Sequence, residues 1–551
     1  MRGLLQFGFS YIKKNLYGWY LVLGGADSLI GIITPLLMGA VIDGLTSPGE
    51  GRSLSWLIGL FFLFGAVRLL MGLVQSYLGV KLENDAEYAA NRHFLKQMYH
   101  TSYLNICQED SAMLSQKLSS DVGCVVGFSV SFYRNLLQNI VFVCCIAAVL
   151  LAQSWVLCLV LFGLAFCYAG VYTLAKGKIY AAGYRVKQNQ TSFYGKLCGL
   201  LFHMKSIRNN GFEEECFEEQ DKEYHSYYRS LRHQVTVNNT FNMAIDLIAL
   251  LAQTMLFFIG GGMVLEHRLS LGTLVAIINY FSMMLQSTDY FLGLGQNYQD
   301  ARSSYLRLQP YEQMEQIQDG WKRPETVEQI DIQAMAFSYP EQKNLIWMDR
   351  SIKSGFVYWV RGKNGKGKST FMNLLLGLFG RDYSGEITVD SFPAEEVNFG
   401  YLLKERVAIV EQEPYLLPDT LEKNLLCKAK DAESEETKQE LQRLLAVFEL
   451  EEFVKKQPKG LYTMCNAMNA GMSGGERQKI AIIRLLLSAA DFWFLDEPTS
   501  SLDKNSVEKF YEEIEKRKRD HIILIISHEE PKTYERVIEM ENIDDARRHY
   551  M

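Results

Sequence analysis

Residues 356–369 read FVYWVRGKNGKGKS, an apolar run that leads into a glycine-rich loop. The loop, GKNGKGKS at 362–369, has the G-x-x-x-x-G-K-S spacing at which backbone N–H groups surround the phosphates of a nucleotide. Its flanks suit that use, because FVYWV predicts a strand and TFMNLLLGLF (370–379) predicts the opening of a helix. The residues here that are predicted to bind the nucleotide are Gly362, Asn364, Gly365, Lys366, Gly367, Lys368, Ser369 and Thr370.

A pair of carboxylates follows a second apolar strand pattern, FWFLDEP at 492–498. Alone, such a pair would be interpreted as a helix cap or as surface charge. Beside the phosphate-binding loop, Asp496 and the Ser369 hydroxyl suit the Mg²⁺ shell, and Lys368 suits the β- and γ-phosphates. Glu497 suits a general base that polarises the attacking water. The two motifs together predict a nucleotide-hydrolysing site that uses Mg²⁺.

The first half of the chain contains six stretches long enough to cross a bilayer, which needs roughly 20 mostly apolar residues. The connections between them alternate between short and long, which predicts hairpins on one side and long helical extensions on the other. The stretches run over 17–43, 54–80, 129–152, 154–176, 241–265 and 270–298.

Charge gives the orientation and excludes one class of partner. The long connections and the N-terminal segment carry 17 Lys and Arg, against Arg52 and Arg268 in the short ones. The positive-inside rule therefore places the long loops, both termini and the second half in the cytoplasm. Residues 1–310 hold 23 Lys and Arg against 20 Asp and Glu, and the remainder holds 33 against 43. Neither half has the basic excess of a nucleic-acid-binding protein.

Between the two nucleotide motifs lies GMSGGERQK at 471–479. The order of phosphate-binding loop, SGGE, DEPTSSLD and a late IISHE resembles that of the ATP-binding cassette (ABC) transporters. The membrane half is similar to the six-helix exporter type, on TPLLMGAVIDGL (34–45), GGGMVLEHRLSLGTLVA (260–276) and ARSSYLR (301–307). The resemblance implies an α-helical membrane domain of six transmembrane helices at 1–320, and an α/β P-loop ATPase domain at 321–551.

The resemblance also implies roles for residues outside the two motifs. Tyr339 resembles the aromatic residue that stacks on adenine, and Gln412 in VEQEPYLLPDT resembles the glutamine that touches Mg²⁺ and the attacking water. His528, after the apolar run HIILIIS, resembles the histidine that contacts the γ-phosphate.

A second group of residues resembles those that meet the other subunit of a dimer. Ser473, Gly474 and Gly475 resemble the signature that caps the γ-phosphate of ATP held by the opposite subunit, and Asp503 resembles the aspartate of the loop that crosses the dimer interface. The signature departs from the family pattern at Glu476, where glutamine is usual, and at 472, where methionine stands for leucine.

One such chain holds six crossings and half of each ATP site, so the resemblance implies a dimer of identical or related chains in a bacterial plasma membrane. ATP-driven closure would switch the membrane halves from inward- to outward-facing and move a peptide or an amphipathic small molecule out of the cytoplasm. An importer on the same fold and an ATP-gated channel or sensor subunit are the alternatives. By position, helices that couple the two halves are expected near 105–115 and 200–210.

Charged and polar residues inside the crossings are the only clue to the cargo. Asp27 and Arg68 lie at similar depth on neighbouring crossings, ~15 and ~18 Å from the inner side at a rise of 1.5 Å per residue. An ion pair is therefore expected, because a lone charge inside the membrane is costly, with a substrate contact as the alternative. Polar residues of the last two crossings would line a cavity or bond between helices: Asp246, Gln253, Asn279, Gln286 and Asp289.

Overall fold

The computed structural model describes most of the chain as two compact units. The first comprises Met1–Tyr99 and Glu109–Met314, and the second comprises His100–Gln108 and Glu315–Met551. The predicted domain limits of 1–320 and 321–551 stay a prediction, and no sequence pattern indicated that the short segment after residue 99 groups with the second unit. The described residues are 1–46, 54–107, 111–153, 155–339, 346–363, 365–465, 472–527 and 536–540.

The described residues of the first unit form helices joined by short connections. Six of its helices are 33 to 53 residues long and contain the six predicted crossings. Most continue well beyond bilayer length, as the long connections predicted. The helices are α1 (Arg2–Ser10), α2 (Lys14–Thr46), α3 (Leu54–Tyr99), α4 (Ser111–Gln153), α5 (Trp155–Phe202), α6 (Met204–Asn210), α7 (Glu213–Leu265) and α8 (Leu271–Glu312).

Within the described residues, four of these helices are long and apolar enough to span a membrane by length and composition alone. They are Lys14–Thr46, Leu54–Tyr99, Leu118–Ala152 and Glu213–Leu265. The other two predicted crossings, the fourth (154–176) and the sixth (270–298), lie on α5 and α8, and α8 is interrupted by polar residues such as Asn279 and Gln286.

Side-chain burial separates the membrane part of α3 from its extension. Phe62, Leu69 and Leu73 point away from the other helices and are exposed in the single chain, as residues that face lipid would be. Further along the same helix, Ala90 and Phe94 are fully buried. The extension is therefore a packed helical stalk rather than a solvated linker.

The expected ion pair inside the membrane half is confirmed. Arg68 Nε on α3 lies 3.3 Å from Asp27 Oδ1 on α2. The side chain of Asp27 is 13% exposed and that of Arg68 is 40% exposed, so the carboxylate lies between the helices while the arginine is partly open. Gly31, one turn further along α2, adds no side chain of its own, and a Cβ there would lie 3.4 Å from the guanidinium carbon of Arg68.

The second unit contains two sheets. An antiparallel sheet has the order β2-β1-β4-β5, and a parallel sheet has the order β6-β7-β8-β3-β9. The strands are β1 (Gln329–Phe337), β2 (Ile346–Lys353), β3 (Phe356–Arg361), β4 (Ser384–Val389), β5 (Phe392–Pro393), β6 (Val407–Val410), β7 (Phe492–Asp496), β8 (Ile522–Ile526) and β9 (Arg536–Glu539).

The parallel sheet is buried on both faces, which explains why its central strands are continuous apolar runs. Every residue of β8 is buried, and alternate residues enter two different cores: Leu524 packs in one, and Ile523 and Ile525 in the other. Helices cover both faces. They are α9 (Lys368–Leu375), α10 (Phe399–Glu405), α11 (Leu421–Leu426), α12 (Glu435–Val447), α13 (Glu451–Lys456), α14 (Gly474–Leu486) and α15 (Lys504–Arg517).

The ion pair of α2 and α3 provides a test of the membrane fold. Asp27→Ala leaves the partly exposed Arg68 without its carboxylate, and we expect the free energy of unfolding to fall by about 2 kcal/mol, the size of one hydrogen bond to a charged group. The thermal midpoint of the detergent-solubilised chain should fall. The double variant Asp27→Arg with Arg68→Asp should recover most of the lost thermal midpoint. If the midpoint falls equally in the single and double variants, the stability of the site does not depend on charge pairing.

Candidate nucleotide-binding site

The phosphate-binding loop lies between a strand and a helix, as the sequence predicted. It leaves β3, which pairs with β8 and β9, and enters α9 at Lys368. Gly365 and Gly367 have φ values of +79° and +87°, a conformation that residues with a Cβ rarely adopt. A Cβ at Gly367 would also lie 2.3 Å from Ile346 Cδ1. Asn364, predicted to bind nucleotide, lies outside the described residues.

The polar side chains at the start of α9 are placed for an anion. Lys368 is half-buried, and its ammonium donates a hydrogen bond to Gly362 O at 2.7 Å. Ser369 is exposed in the first turn. The free N–H groups and the positive end of the dipole at a helix N-terminus favour phosphate here. This arrangement can bind a polyphosphate through backbone and ammonium groups together.

The acidic pair stands at the end of β7, the neighbour of β8 in the same sheet: Asp496 is the last residue of the strand and Glu497 follows it. The pKa of Asp496 is raised, chiefly by burial and then by the charge of Glu497, while the Lys368 ammonium opposes the shift. Lys368 and Asp496 therefore act on each other electrostatically, as a shared Mg²⁺–triphosphate site requires. The exposed Glu411 adds a smaller repulsive contribution at Asp496. Sequence reasoning missed Glu411, although it directly precedes Gln412.

Glu497 has a strained backbone and a defined partner. Its φ is +46°, in the left-handed region, and its N–H donates to Ile526 O at 2.8 Å. Gln412 Nε2 donates to Glu497 Oε2 at 3.0 Å. Non-glycine residues in this conformation cost about 1–3 kcal/mol and concentrate at functional sites. The structure thus brings together two residues that are 85 positions apart in the sequence, while the third predicted catalytic residue, His528, lies outside the described residues.

The signature residues begin α14. Ser473 caps the helix by accepting a hydrogen bond from the Glu476 N–H at 3.2 Å, and Glu476 Oε2 accepts from the Ser473 N–H at 2.6 Å and from its hydroxyl at 2.9 Å. This is a capping box, and the departure from glutamine to glutamate provides its carboxylate. Gly475 must lack a side chain, because a Cβ would lie 2.8 Å from Ser501 O. Gly474 occupies the first turn with it.

Asp503 is engaged by its own chain. It caps α15, accepting from the Ser506 N–H at 2.9 Å and from its hydroxyl at 2.7 Å, and lies 3.1 Å from Lys479 Nζ. These hydrogen bonds and the ammonium hold the pKa of Asp503 well below its ordinary range. The residue therefore fixes the start of α15 whatever else it contacts. Lys479 was not singled out from the sequence.

Tyr339 lies beside the phosphate-binding helix. Its hydroxyl is 3.1 Å from Thr370 Oγ1, and either oxygen can be the donor. The ring is half-buried against Phe337 and Phe379, with centroid separations of 5.2 and 6.1 Å. One face of this ring system is thus supported by the core, as a platform for a planar ligand would be.

Comparisons with known proteins agree with this arrangement. A family model of the ABC transporter transmembrane region matches residues 19–288, and one of the ABC transporter matches residues 347–500. Together they match most of the chain, which therefore belongs to the ABC transporters. Within that family it is an exporter-type half-transporter, with one membrane domain and one ATPase domain that hydrolyses ATP to drive transport.

Several relatives span nearly the whole chain. An ATP-dependent lipid A-core flippase of Alkalilimnicola ehrlichii is 25% identical over 92% of this chain and 85% of its own length. The protein of the same name from Vibrio cholerae is 24% identical over 94% and 89%. The structure of a bacterial Atm1-family ABC exporter with ATP bound has a TM-score of 0.75, covers 97% of this chain and 96% of its own, and is 16% identical. That last likeness is one of fold.

The raised pKa of Asp496 predicts a trade between stability and activity. Folding raises the pKa of this acid above its ordinary value of 3.8, so the folded state is disfavoured once the pH exceeds that value and the carboxylate ionises. Asp496→Asn should therefore raise the thermal midpoint of the full chain by a few degrees at pH 7, in chelator and without nucleotide, and the gain should shrink toward pH 4. ATPase activity should be lost.

The exposed carboxylate Glu508 provides the control, since Glu508→Gln should leave the midpoint at pH 7 where it was. A midpoint for Asp496→Asn at or below that of the unaltered chain at pH 7 would contradict the electrostatic account.

Proposed function

We propose that two copies of this chain, or one copy and a related chain, bind two Mg²⁺–ATP between their ATPase domains and use hydrolysis to move an anionic, lipid-linked amphiphile out of the cytoplasm. The observation that carries the proposal is the hydrogen bond between Gln412 and Glu497 next to Asp496, at the end of β7, a strand of the same parallel sheet as β3. A carboxylate so placed can accept a proton from water that attacks a bound triphosphate.

Nucleotide binding is assigned to the loop and to the aromatic platform. In this proposal the loop N–H groups and Lys368 hold the phosphates, and Tyr339 stacks on the adenine. Mg²⁺ would be held by the Ser369 hydroxyl and by Asp496, with Gln412 at its edge. Mg²⁺ supplies charge neutralisation between the β- and γ-phosphates when it is bound. The hydroxyl, carboxylate and amide oxygens present are the hard donors that this ion takes.

The second half of each site is assigned to the other subunit. Ser473, Gly474 and Gly475 would face the γ-phosphate of ATP held by the opposite chain, where the N-terminus of α14 offers backbone N–H groups. Asp503 would cross the interface and His528 would contact the γ-phosphate. Closure is driven by the tighter binding of ATP to the closed dimer than to the open one, and hydrolysis removes that difference.

The cargo class is inferred from the membrane half. Gly24 on α2 leaves room for two polar side chains, since a Cβ there would lie 2.9 Å from Gln75 Nε2 and 3.3 Å from Arg134 Cγ. The Arg134 guanidinium lies 5.5 Å from the Tyr20 ring centre. Among the described residues, Gln75 Nε2 and Arg134 Nε are buried donors without a hydrogen-bond partner. Unmet cationic and amide donors at a helix interface favour an anionic headgroup.

The names of the relatives support the same class. The flippases from Alkalilimnicola ehrlichii and Vibrio cholerae are named for lipid A-core, so an amphiphilic cargo is favoured over a peptide. The orientation proposed is the one given by loop charge, with the ATPase domain and both termini in the cytoplasm and the chain in the bacterial inner membrane.

The general-base assignment makes a first prediction. Glu497→Gln keeps the shape and the hydrogen bond from Gln412 but cannot accept a proton, so turnover of ATP should fall by about 10²- to 10⁴-fold. The Kd for ATP should stay within about twofold of the unaltered value, since the phosphate contacts are untouched. Phosphate release by the full chain in lipid measures the first, and equilibrium binding measures the second.

The matched control is Glu512→Gln, an exposed carboxylate on α15 that should leave both quantities unchanged. Phosphate release by Glu497→Gln at the rate of the unaltered chain would refute the assignment.

The cargo assignment makes a second prediction. A phosphorylated glycolipid should stimulate the ATPase of the unaltered chain in vesicles, and Arg134→Gln should raise the concentration needed for half-maximal stimulation by about tenfold, the loss of one charge-assisted contact. Lys178→Gln, an exposed cation on α5, is the control. An uncharged lipid or a peptide that stimulates both variants equally would count against an anionic amphiphile.

The same vesicles separate the alternatives. Transport from the ATPase side to the far side is expected of an exporter, and movement in the opposite direction would identify an importer. A channel or sensor subunit would hydrolyse ATP without ATP-driven accumulation of the lipid.

A further inference from the structure

The segment between α3 and α4 belongs to the second unit and is held within it by hydrogen bonds of its backbone and of one side chain. The Tyr103 N–H donates to Leu378 O at 2.8 Å, and the Ser102 hydroxyl donates to Asp382 Oδ2 at 3.1 Å. Leu104 packs against the core beneath the antiparallel sheet. These contacts lie at 102–104, before the position near 105–115 at which a coupling helix was expected, while the short helix α6 falls within the second expected position, 200–210.

Tyr103 begins a row of aromatic rings that runs into this unit. Its ring is stacked on Phe379, with centroids 6.4 Å apart and planes 5° apart. Phe379 is 1% exposed, and its ring centroid also lies 5.2 Å from that of Phe337 and 6.1 Å from that of Tyr339. These separations lie within the range in which aromatic pairs attract. The row therefore joins an exposed residue of the segment to the platform beside the phosphate-binding helix.

The far end of the row is anchored. The Tyr339 hydroxyl is bonded to Thr370, so the ring is held at its polar end and can change its tilt mainly about that point. Phe379 and Phe337 form the wall against which the ring rests. Because protein interiors are close-packed, a displacement of Phe379 must also displace the rings that it contacts.

We propose that Tyr103 and Phe379 are positioning residues for the nucleotide base: seating of Tyr103 on Phe379 sets the tilt of the Tyr339 ring and so the affinity for a purine. The inference rests on the proposed role of Tyr339 as the adenine platform. By linkage, a purine stacked on Tyr339 tightens the seating of Tyr103 by the same factor. The segment joins α3 to α4. Binding of the base, rather than of the phosphates, would therefore be transmitted to those helices along this segment.

The test compares a ligand with a base and one without. The full chain carrying Glu497→Gln, which prevents turnover, is titrated with ATP and with inorganic tripolyphosphate in the presence of Mg²⁺. Tyr103→Leu should raise the Kd for ATP by about three- to tenfold, the size of one aromatic pair, and leave the Kd for tripolyphosphate unchanged. Tyr103→Phe keeps the ring and should bind ATP as the parent does.

Two further variants separate the possible causes. Ser102→Ala removes the hydrogen bond between the same segment and Asp382 without changing the rings. The Kd for ATP should stay within about twofold of that of the Glu497→Gln chain. Tyr339→Leu should raise the Kd for ATP but not that for tripolyphosphate. Adding Tyr103→Leu to it should raise the Kd for ATP no further, because the two residues act through one platform.

Each contrary result has a distinct meaning. If Tyr339→Leu weakens ATP and Tyr103→Leu does not, the aromatic route is overturned while the platform stands. If Tyr103→Leu weakens both ligands equally, the segment supports the whole unit rather than the base site, and the inference is again overturned. If Tyr339→Leu leaves the ratio of the two affinities unchanged, the proposed platform fails, and the inference fails with it.

Discussion

The register of the parallel sheet is the constraint on which the ATPase site depends. Val360 pairs with Ile526, and Ile526 pairs with Asp496 on the other side. Because parallel strands leave a sheet in the same direction, this register puts the phosphate-binding loop, the acidic pair and the chain that leads toward residue 528 at one edge. A shift of one residue in β7 would turn Asp496 into the other face and separate the carboxylate from the loop.

That edge combines features that each work against stability. Burial and the charge of Glu497 raise the pKa of Asp496, and Glu497 itself is held at a positive φ. The surrounding strands make this arrangement tolerable, because Phe494 and Leu495, just before the pair, are fully buried in the two cores. A site that would bind a divalent cation needs excess negative charge, and the rigid sheet supports it.

The sequence correctly predicted features that depend on contiguous residues or on the geometry of helices. The loop at 362–369 is contiguous, and the pairing of Asp27 with Arg68 follows from the fixed rise of two neighbouring helices. The resemblance gave Gln412 and Glu497 separate roles at the attacking water, but their hydrogen bond was not predicted, because no spacing rule relates residues that follow different strands of a sheet. The seating of Tyr103 on Phe379 was not foreseen, since an exposed tyrosine in a connection carries no pattern that names its partner. The role of Asp503 at the dimer interface was inferred from the family resemblance alone. Its role as the N-cap of α15 follows instead from local chemistry, because aspartate is a preferred N-cap residue.

The membrane half follows a different rule, since lipid offers no partner to a polar group. Most hydroxyls there are satisfied within their own helix, as Ser28 is by Gly24 O and Thr34 by Ile30 O, both at 2.8 Å. Tyr280 instead reaches across from α8 to Ile32 O on α2 at 2.6 Å. Against that background, the described donors of Gln75 and Arg134 that lack a partner are exceptions at one helix interface. The buried Ser287 hydroxyl on α8 also lacks a partner among the described residues. Unmet donors are costly, and a ligand that accepts hydrogen bonds would remove that cost for Gln75 and Arg134. The interface of α2, α3 and α4 is therefore the part of the membrane half to which the proposed anionic cargo is assigned.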